Sequence, residues 1–486
     1  MVFSSLTFLS AFFPIVFLLY AVMPGLKARN ILLMLASLVF YAYGEPVYVL
    51  LMIGSTLLNY MLALLIQRGK DAGKPSAAKA FLLLSVLMNL GILCVFKYAD
   101  MLIGSLNAIF GSRVPCPGIT LPIGISFFTF QAMSYVFDVY KGEVHAQRKF
   151  TNVQLYIAFF PQLIAGPIVR YRDIEAEIEH RDWDLEQIAK GLRRFLLGLG
   201  KKVLIANAMG EAVDAVFSAG PEELNFLGAW IGALAYLFQI YYDFSGYSDM
   251  AIGLGQMFGF HFKENFRYPY GAASMQDFWR RWHISLSTWF REYLYIPLGG
   301  NRKGKARTVL NRLIVFFCTG LWHGANWTFV LWGLYHGFFL FLEQAFPRLR
   351  KLPSWATRLY VLLVVCVGFV IFRAESMTQG AFLLKTMFGG FTVSAPALSF
   401  ALQRLTPRFL TMFAAAALGC APLQALARRI AERRAGAAEG AAPRKGNERY
   451  ARVSEFLSYT LSFALLILCL LRLSGSAYNP FIYFRF

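Results

Sequence analysis

Charge is what this chain has least of. Asp, Glu, Lys and Arg make up 15% of its 486 residues, where a soluble domain carries about 25%. A soluble globular body is therefore excluded. Cysteine is scarce as well: Cys94, Cys116, Cys318, Cys366, Cys420 and Cys469 are scattered, with no C-x-x-C spacing. Most lie in apolar runs, where a free thiol behaves as a small hydrophobe, so neither a disulfide framework nor a zinc site is expected. Gly-x-Gly-x-x-Gly, Walker A and His-x-x-x-His patterns are missing, which leaves no sign of ATP, dinucleotide or metal chemistry. Acidic residues number 27 against 47 Lys and Arg, a net charge of +20. In a soluble chain that balance would suggest nucleic acid.

What is present is apolar. Hydrophobic residues make up 57% and aromatics 16%, and runs of bilayer length recur at 6–20, 47–66, 80–96, 228–240, 359–372 and 456–471. A secretory signal would be one short run before a soluble body; here the runs never stop. The expectation is an all-α polytopic membrane protein with roughly 11–12 spans. It reads as one membrane domain: N-terminal spans over 1–140, a core over 141–345 and C-terminal spans over 346–486.

In such a chain the basic excess belongs to loops held on the cytoplasmic side, and nucleic acid is not an expected partner. Anionic membrane lipids, or a phosphorylated substrate, would be drawn to that face. Segments 67–79 (Arg68, Lys70, Lys74, Lys79) and 141–149 (Lys141, Arg148, Lys149) should be inside. That leaves 99–117 outside, Lys27 and Arg29 inside, and the N-terminus outside. Segment 428–452, rich in Ala, Gly, Arg and Glu, reads as a solvated cytoplasmic linker, after which a last span carries 478–486 outside.

The middle does not read as plain spans. Phe159-Phe-Pro-Gln-Leu-Ile-Ala-Gly-Pro167 is short and broken by Pro and Gly. Irregular backbone at membrane depth survives only inside protein or beside a water-filled cavity, so a re-entrant segment is expected. Segment 170–202 is charged and helix-like and should lie on the inner surface. Segment 261–312 is basic and aromatic, with too few consecutive apolar residues to cross.

Two histidines fall in this region. His283 ends Asp277-Phe-Trp-Arg-Arg-Trp-His283, and His323 lies in Gly320-Leu-Trp-His-Gly-Ala-Asn-Trp327. Ionisable groups at membrane depth are costly and mark substrate paths or reaction centres, and His moves protons near neutral pH. His323, just before a Gly that breaks its helix, suits a general base for an attacking hydroxyl; a buried His bonded to a neighbouring helix is the bland alternative. His283 suits a second polar group at the cytoplasmic mouth, although a Trp/Arg/His stretch is also typical of a membrane interface. Trp322 and Asn326 flank His323 as weaker site candidates.

Upstream, Gln239-Ile-Tyr-Tyr-Asp243-Phe-Ser-Gly-Tyr-Ser-Asp249 puts two carboxylates at the end of an apolar helix. Six residues apart, they face different sides, so a glycosidase-like pair is not expected. Ser245 lacks the Gly-x-Ser-x-Gly elbow of hydrolases. Asp243 and Tyr242 remain weak candidates for a cavity wall, against a structural capping role.

Read in order, Met1-Val-Phe-Ser-Ser, Leu121-Pro-Ile-Gly-Ile-Ser-Phe-Phe-Thr-Phe-Gln131, Pro161-Gln-Leu-Ile-Ala-Gly-Pro-Ile and Tyr241-Tyr-Asp-Phe-Ser-Gly-Tyr-Ser-Asp249 precede Asn265-Phe-Arg-Tyr-Pro-Tyr270, Phe278-Trp-Arg-Arg-Trp-His283 and the Trp322-His-Gly block. This set resembles the bacterial membrane-bound O-acyltransferases, and within them the alginate O-acetyltransferase group. The ending Asn479-Pro-Phe-Ile-Tyr-Phe is similar too, and 374–442 is the least matched region. The resemblance implies a helical funnel through a thinned membrane, with His323 as the essential histidine, deprotonating the acceptor or forming a transient acyl-imidazole itself, and His283 as the second. Asn207 departs from it, standing where Asp is the usual residue.

The resemblance further implies an O-acetyltransferase of the bacterial inner membrane. It would take acetyl from a cytoplasmic donor, acetyl-CoA, with no bound cofactor. The acceptor would be an extracytoplasmic polysaccharide, or an esterase-like relay protein that passes the acetyl group on. Arg280, Arg281 and Arg267 would meet the donor's phosphates, or equally those of lipid. Two other readings stay open: D-alanyl transfer from a carrier protein onto teichoic acid, and transport of a small anion through broken helices. Transport predicts inverted repeats, which are not visible.

Overall fold

The apolar runs fold as helices, and among the described residues no strand forms. The computed structural model describes residues 1–392, 394–421, 445–475 and 478–482, the side chains of 350–351 and 445–455 excepted. Among the described residues, five helices are long and apolar enough to cross a membrane: Gly25–Ala42, Tyr48–Asp71, the continuous Pro75–Phe110, Ser354–Arg373 and Phe456–Gly475. Phe8–Val22 is apolar but shorter. Other long helices are more polar, and several of them are buried in the protein. The helix Phe226–Met257, with its run 239–249 of Gln, Tyr, Asp and Ser, is enclosed by protein over most of its length, so it need not be apolar all round. Gly304–His323 and Trp327–Ala345 are likewise long but interrupted by polar side chains. On the outer helices Leu18, Leu50, Leu87 and Leu461 point away from the protein, as lipid-facing side chains must.

Between lipid-facing helices, association relies on close packing and on polar contacts shielded from lipid. Tyr48–Asp71 and Pro75–Leu93 are joined by such a contact: the Asn89 amide and the Ser85 hydroxyl each donate to Asn59 Oδ1 at 2.8 Å. At the centre, Leu185–Gly200 crosses Phe226–Met257 backbone to backbone. A Cβ on Gly191 would lie 2.6 Å from the Gly253 carbonyl oxygen, and one on Gly246 would lie 2.8 Å from that of Gly198. Only glycine fits there.

The segment 170–202 thus lies partly inside. Tyr171–Glu179 stays near the surface, tied by ion pairs from Arg170 to Asp173 (2.8 Å) and Glu292 (2.5 Å) and from Lys263 to Asp173 (2.5 Å). Leu185–Gly200 buries its glycine face against the central helix. Segment 159–167 is a single helical turn, Phe160–Leu163, followed by a bend over 164–166, all of it buried, the arrangement expected of a re-entrant stretch. Its polar groups are met by protein: Phe160 N–H donates to Ser37 Oγ (3.1 Å) and Ile168 N–H to Ser285 Oγ (3.0 Å). Segment 261–312 breaks into short pieces, chiefly Met275–Arg281 and Ile284–Phe290. The expected linker 428–452 lies outside the described residues as far as 444; from Lys445 the backbone is already helical.

Two apolar cores result. One joins the N-terminal helices to 125–203 and to Tyr247–Met257 of the central helix; the other gathers Tyr236–Tyr242 with 270–282, 316–332 and 361–387. Trp282 belongs to the second core and Trp322 to the first. The histidine that follows each lies where the two cores meet.

Candidate active site

His323 is the last residue of the helix Gly304–His323, which doubles back on Trp327–Ala345 through a three-residue corner. The hairpin is tight because a Cβ on Gly333 would fall 3.2 Å from Gly320 and press on the Phe316 carbonyl. Asn326 closes the corner: its Oδ1 accepts from Thr328 N–H (3.1 Å), and its amide donates to the Glu375 carbonyl (2.9 Å). Asn326 therefore acts as a helix cap. The His323 ring sits at 5.0–5.1 Å from the rings of Trp322, Trp332 and Phe372. It is 6% exposed, and neither ring nitrogen has a hydrogen-bond partner.

His283 reaches the same place from another direction. It is fully buried and has left-handed backbone (φ 43°, ψ 55°), shared among non-glycine described residues only with Tyr268. Such geometry costs about 1–3 kcal/mol and persists only when the surroundings enforce it. Asn265 enforces it: its carbonyl accepts from Ile284 N–H (3.0 Å), and its Oδ1 accepts from Ser285 N–H (3.1 Å) and Ser285 Oγ (2.9 Å). Because a backbone N–H can only donate, the Asn265 atom facing it is the oxygen. His283 Nδ1 lies 3.3 Å from that oxygen and 3.4 Å from the Ser285 hydroxyl; the oxygen can only accept, which favours the tautomer with the proton on Nδ1. The lone pair is left on Nε2, which has no partner. The His283 and His323 rings lie 6.3 Å apart, with Phe244 (4.6 Å) and Trp322 (5.8 Å) against His283.

Two cavities adjoin the elements that carry this pair. One, of about 440 Å³, is lined by Arg280, Arg291, Arg312, Ser287, Thr288 and Thr319 among others. The other, of about 100 Å³, is lined by His323, Trp322, Lys97, Ser126 and the 121–125 turn. The helix Gly304–His323 touches both, Thr319 in the first and Trp322 in the second, about 4.5 Å apart along its axis at 1.5 Å per residue. A pocket of about 10 Å³, bounded by Phe244, Trp332, Phe372 and Ile482, also meets His323.

The remaining sequence candidates separate. Arg280 lines the large cavity and is exposed. Arg281 is paired with Asp277 at 2.9 Å, and Arg267 is exposed, its N–H bonded to the Arg281 carbonyl. Tyr242 donates to the Ala416 carbonyl (2.7 Å). Asp243 pairs with Lys202 (2.7 Å) and accepts from Ile482 N–H (2.9 Å), while Asp249 pairs with Lys201 and Arg194 (each 2.6 Å). Both carboxylates thus brace neighbouring segments. Asn207 donates to Asn479 (3.1 Å) and so helps seat the same C-terminal strap.

Sequence reasoning passed over Asn265, Ser285 and Lys97 as site residues. Asn265 stood only inside a quoted motif. Lys97, following the apolar run 80–96, carried the one usable signal, an ionisable group at membrane depth. His336, buried among Phe278, Trp279 and Trp332, was also missed. Among the described residues no group of three His, Cys, Asp or Glu side chains could hold a metal.

Residues 124–384 match the model of the MBOAT, membrane-bound O-acyltransferase, family. The whole chain is 40% identical to the "Probable alginate O-acetylase AlgI" of Azotobacter vinelandii, covering 100% of both. It is 37% identical to the "Peptidoglycan O-acetyltransferase" of Helicobacter pylori, over 80% of each chain. Identity to the "Teichoic acid D-alanyltransferase" of Bacillus subtilis is 30%, over 52% of this chain and 69% of the relative. With the buried histidine pair lying inside the matched region, the chain belongs to the membrane-bound O-acyltransferase family and is a multi-pass O-acyltransferase.

Proposed function

We propose that this protein transfers an acetyl group from acetyl-CoA at the cytoplasmic face of a bacterial inner membrane toward hydroxyls of an extracytoplasmic polysaccharide, directly or through a relay protein. The observation that carries the reading is the buried pair His283–His323, from separate chain segments, with partner-free nitrogens on both rings; His323 lines one cavity, and Ile284 and Thr319 on the same elements line a second, basic one.

The basic cavity belongs to the stretch that the positive-inside rule puts in the cytoplasm. Its Arg280, Arg291 and Arg312 suit a donor bearing phosphates. Arg312 stands 11 residues before His323 on one helix, about 16 Å along the axis. A donor with phosphates at one end of an extended arm and a thioester at the other fits that span. The His323 ring accepts the proton of the acceptor hydroxyl. The hydroxyl oxygen then bonds to the acyl carbon, the C–S bond breaks, and the thiolate recovers the proton from the imidazolium. His283, its Nε2 without a partner and its ring 6.3 Å from that of His323, assists from the donor side.

Acetyl rather than D-alanyl transfer is favoured by the full-length likeness to O-acetylases, against partial likeness to the D-alanyltransferase. The test uses inside-out membrane vesicles given radiolabelled acetyl-CoA. Alkali-labile acetate on polysaccharide, with release of CoA, supports the reading. No acetate ester from acetyl-CoA, together with D-alanyl ester formed from a carrier protein charged with radiolabelled D-alanine, overturns it in favour of D-alanyl transfer.

A further inference from the structure

Lys97 lies midway along Pro75–Phe110, in the π-helical turn Cys94–Tyr98. Such turns commonly mark functional positions. The side chain is 8% exposed, and among the described residues no carboxylate pairs with it. Its Nζ donates to Ser126 Oγ (3.0 Å) and to the carbonyls of Trp322 (2.5 Å) and His323 (3.3 Å). With His323 it lines the 100 Å³ cavity, whose other walls, from 121–127, Ile164 and Trp322, carry no charge.

An ammonium group out of water without a counter-ion is costly. The carbonyls at the end of the His323 helix offset part of that cost, since a helix C-terminus is partly negative. Fixing those carbonyls needs only hydrogen-bond donors, which an uncharged side chain could supply. A full positive charge facing the cavity beside His323 is of further use only where negative charge arises in that cavity. Acyl transfer creates it on the acceptor oxygen.

We propose that Lys97 is the electrostatic residue on the acceptor side of the reaction. This rests on the reading of His323 as the base. As the acceptor O–H gives its proton to His323, the oxygen gains negative charge, and the Lys97 ammonium stabilises it while the O–C bond forms and the C–S bond breaks. A second consequence is positional: through the Trp322 and His323 carbonyls, Lys97 holds the helix end that carries the imidazole.

The test measures acetate incorporation from radiolabelled acetyl-CoA in vesicles holding the cell's own polysaccharide and partner proteins, at matched abundance. Lys97→Met should lower kcat about 100-fold, the usual effect of losing one such stabilising group, with KM for acetyl-CoA unchanged. Lys97→Arg should recover much of the rate. If Lys97→Met does not accumulate, Lys97→Gln carries the same test, because it keeps an N–H donor for the carbonyls and removes only the charge. A wild-type rate in Lys97→Met or Lys97→Gln overturns the proposal, and so does an equal loss in Lys97→Arg and Lys97→Gln. His323→Ala is run beside them. Transfer lost there and kept in the Lys97 variants sinks this proposal alone; transfer kept in all of them sinks the reading of His323 as well.

Discussion

Replacing Asn265 by Leu removes one acceptor oxygen shared by three donors: Ser285 N–H, Ser285 Oγ and His283 Nδ1. The side chain is fully buried and Leu has similar volume, so no large cavity opens. The backbone N–H of Ser285 is left without a partner and the imidazole N–H of His283 keeps only the Ser285 hydroxyl at 3.4 Å, at roughly 1–3 kcal/mol for a lost partner. The variant should therefore be less stable by a few kcal/mol, seen as a lower thermal unfolding midpoint in detergent. The effect on activity has a separate cause. Without the oxygen, Nδ1 faces only a hydroxyl, which can donate as well as accept, and the tautomer that places the proton on Nε2 becomes accessible. If about 1.4–2.7 kcal/mol of orientation is lost in the transition state, transfer falls about 10–100-fold. Asn265→Asp keeps acceptor oxygens in place and should lose less. The assay is acetate incorporation at matched membrane abundance. An Asn265→Leu variant transferring at the wild-type rate would refute the account of how His283 is oriented.

Other consequences can be checked alongside. Gly246→Val forces a side chain against the Gly198 carbonyl, and overpacking of this kind costs about 1–3 kcal/mol, read as reduced abundance and a lower unfolding midpoint. Asp243→Asn or Lys202→Met each leaves a buried charge unpaired at 2.7 Å from its lost partner, an expected loss of about 3–5 kcal/mol; the double variant should be more stable than either single one. Arg280→Gln should raise KM for acetyl-CoA about three- to tenfold with kcat unchanged, as loss of a charged contact made equally in ground and transition states.

One further consequence concerns pH. Burial opposes the charge on Asp173, but hydrogen bonds from Arg170 and Lys263 outweigh it and hold its carboxyl below the usual range. A depressed folded value means stability that is present above the unfolded value near about 4 and lost as pH falls through the folded one. The unfolding-midpoint gap between wild type and Asp173→Asn should be constant at neutral pH and shrink below about pH 4.

Much of this was legible in the sequence because the membrane makes ionisable residues conspicuous. His283 and His323 could be singled out on that ground, and the structure brings them to 6.3 Å. The broken run 159–167 was legible from its Pro and Gly, and it proves enclosed by protein. What could not be read depends on partners distant in the chain. Asp243 looks like a cavity group until Lys202 and Ile482 are seen to occupy it. Asn326 looks like a site amide until it caps the next helix. The enclosure of Phe226–Met257 was equally out of reach: its run 228–240 reads like any other apolar span, and only the fold shows that protein, not lipid, covers it. The tautomer of His283 was out of reach, since it follows from one oxygen 18 residues away.

The most direct measurement is the O-acetyl content of exported polysaccharide in cells carrying wild type or His323→Ala at matched membrane abundance. If His323 is the base of the transfer, the mutant's polymer carries almost no acetyl ester while its protein remains folded in the membrane. Acetylation at the wild-type level in that mutant would contradict the account.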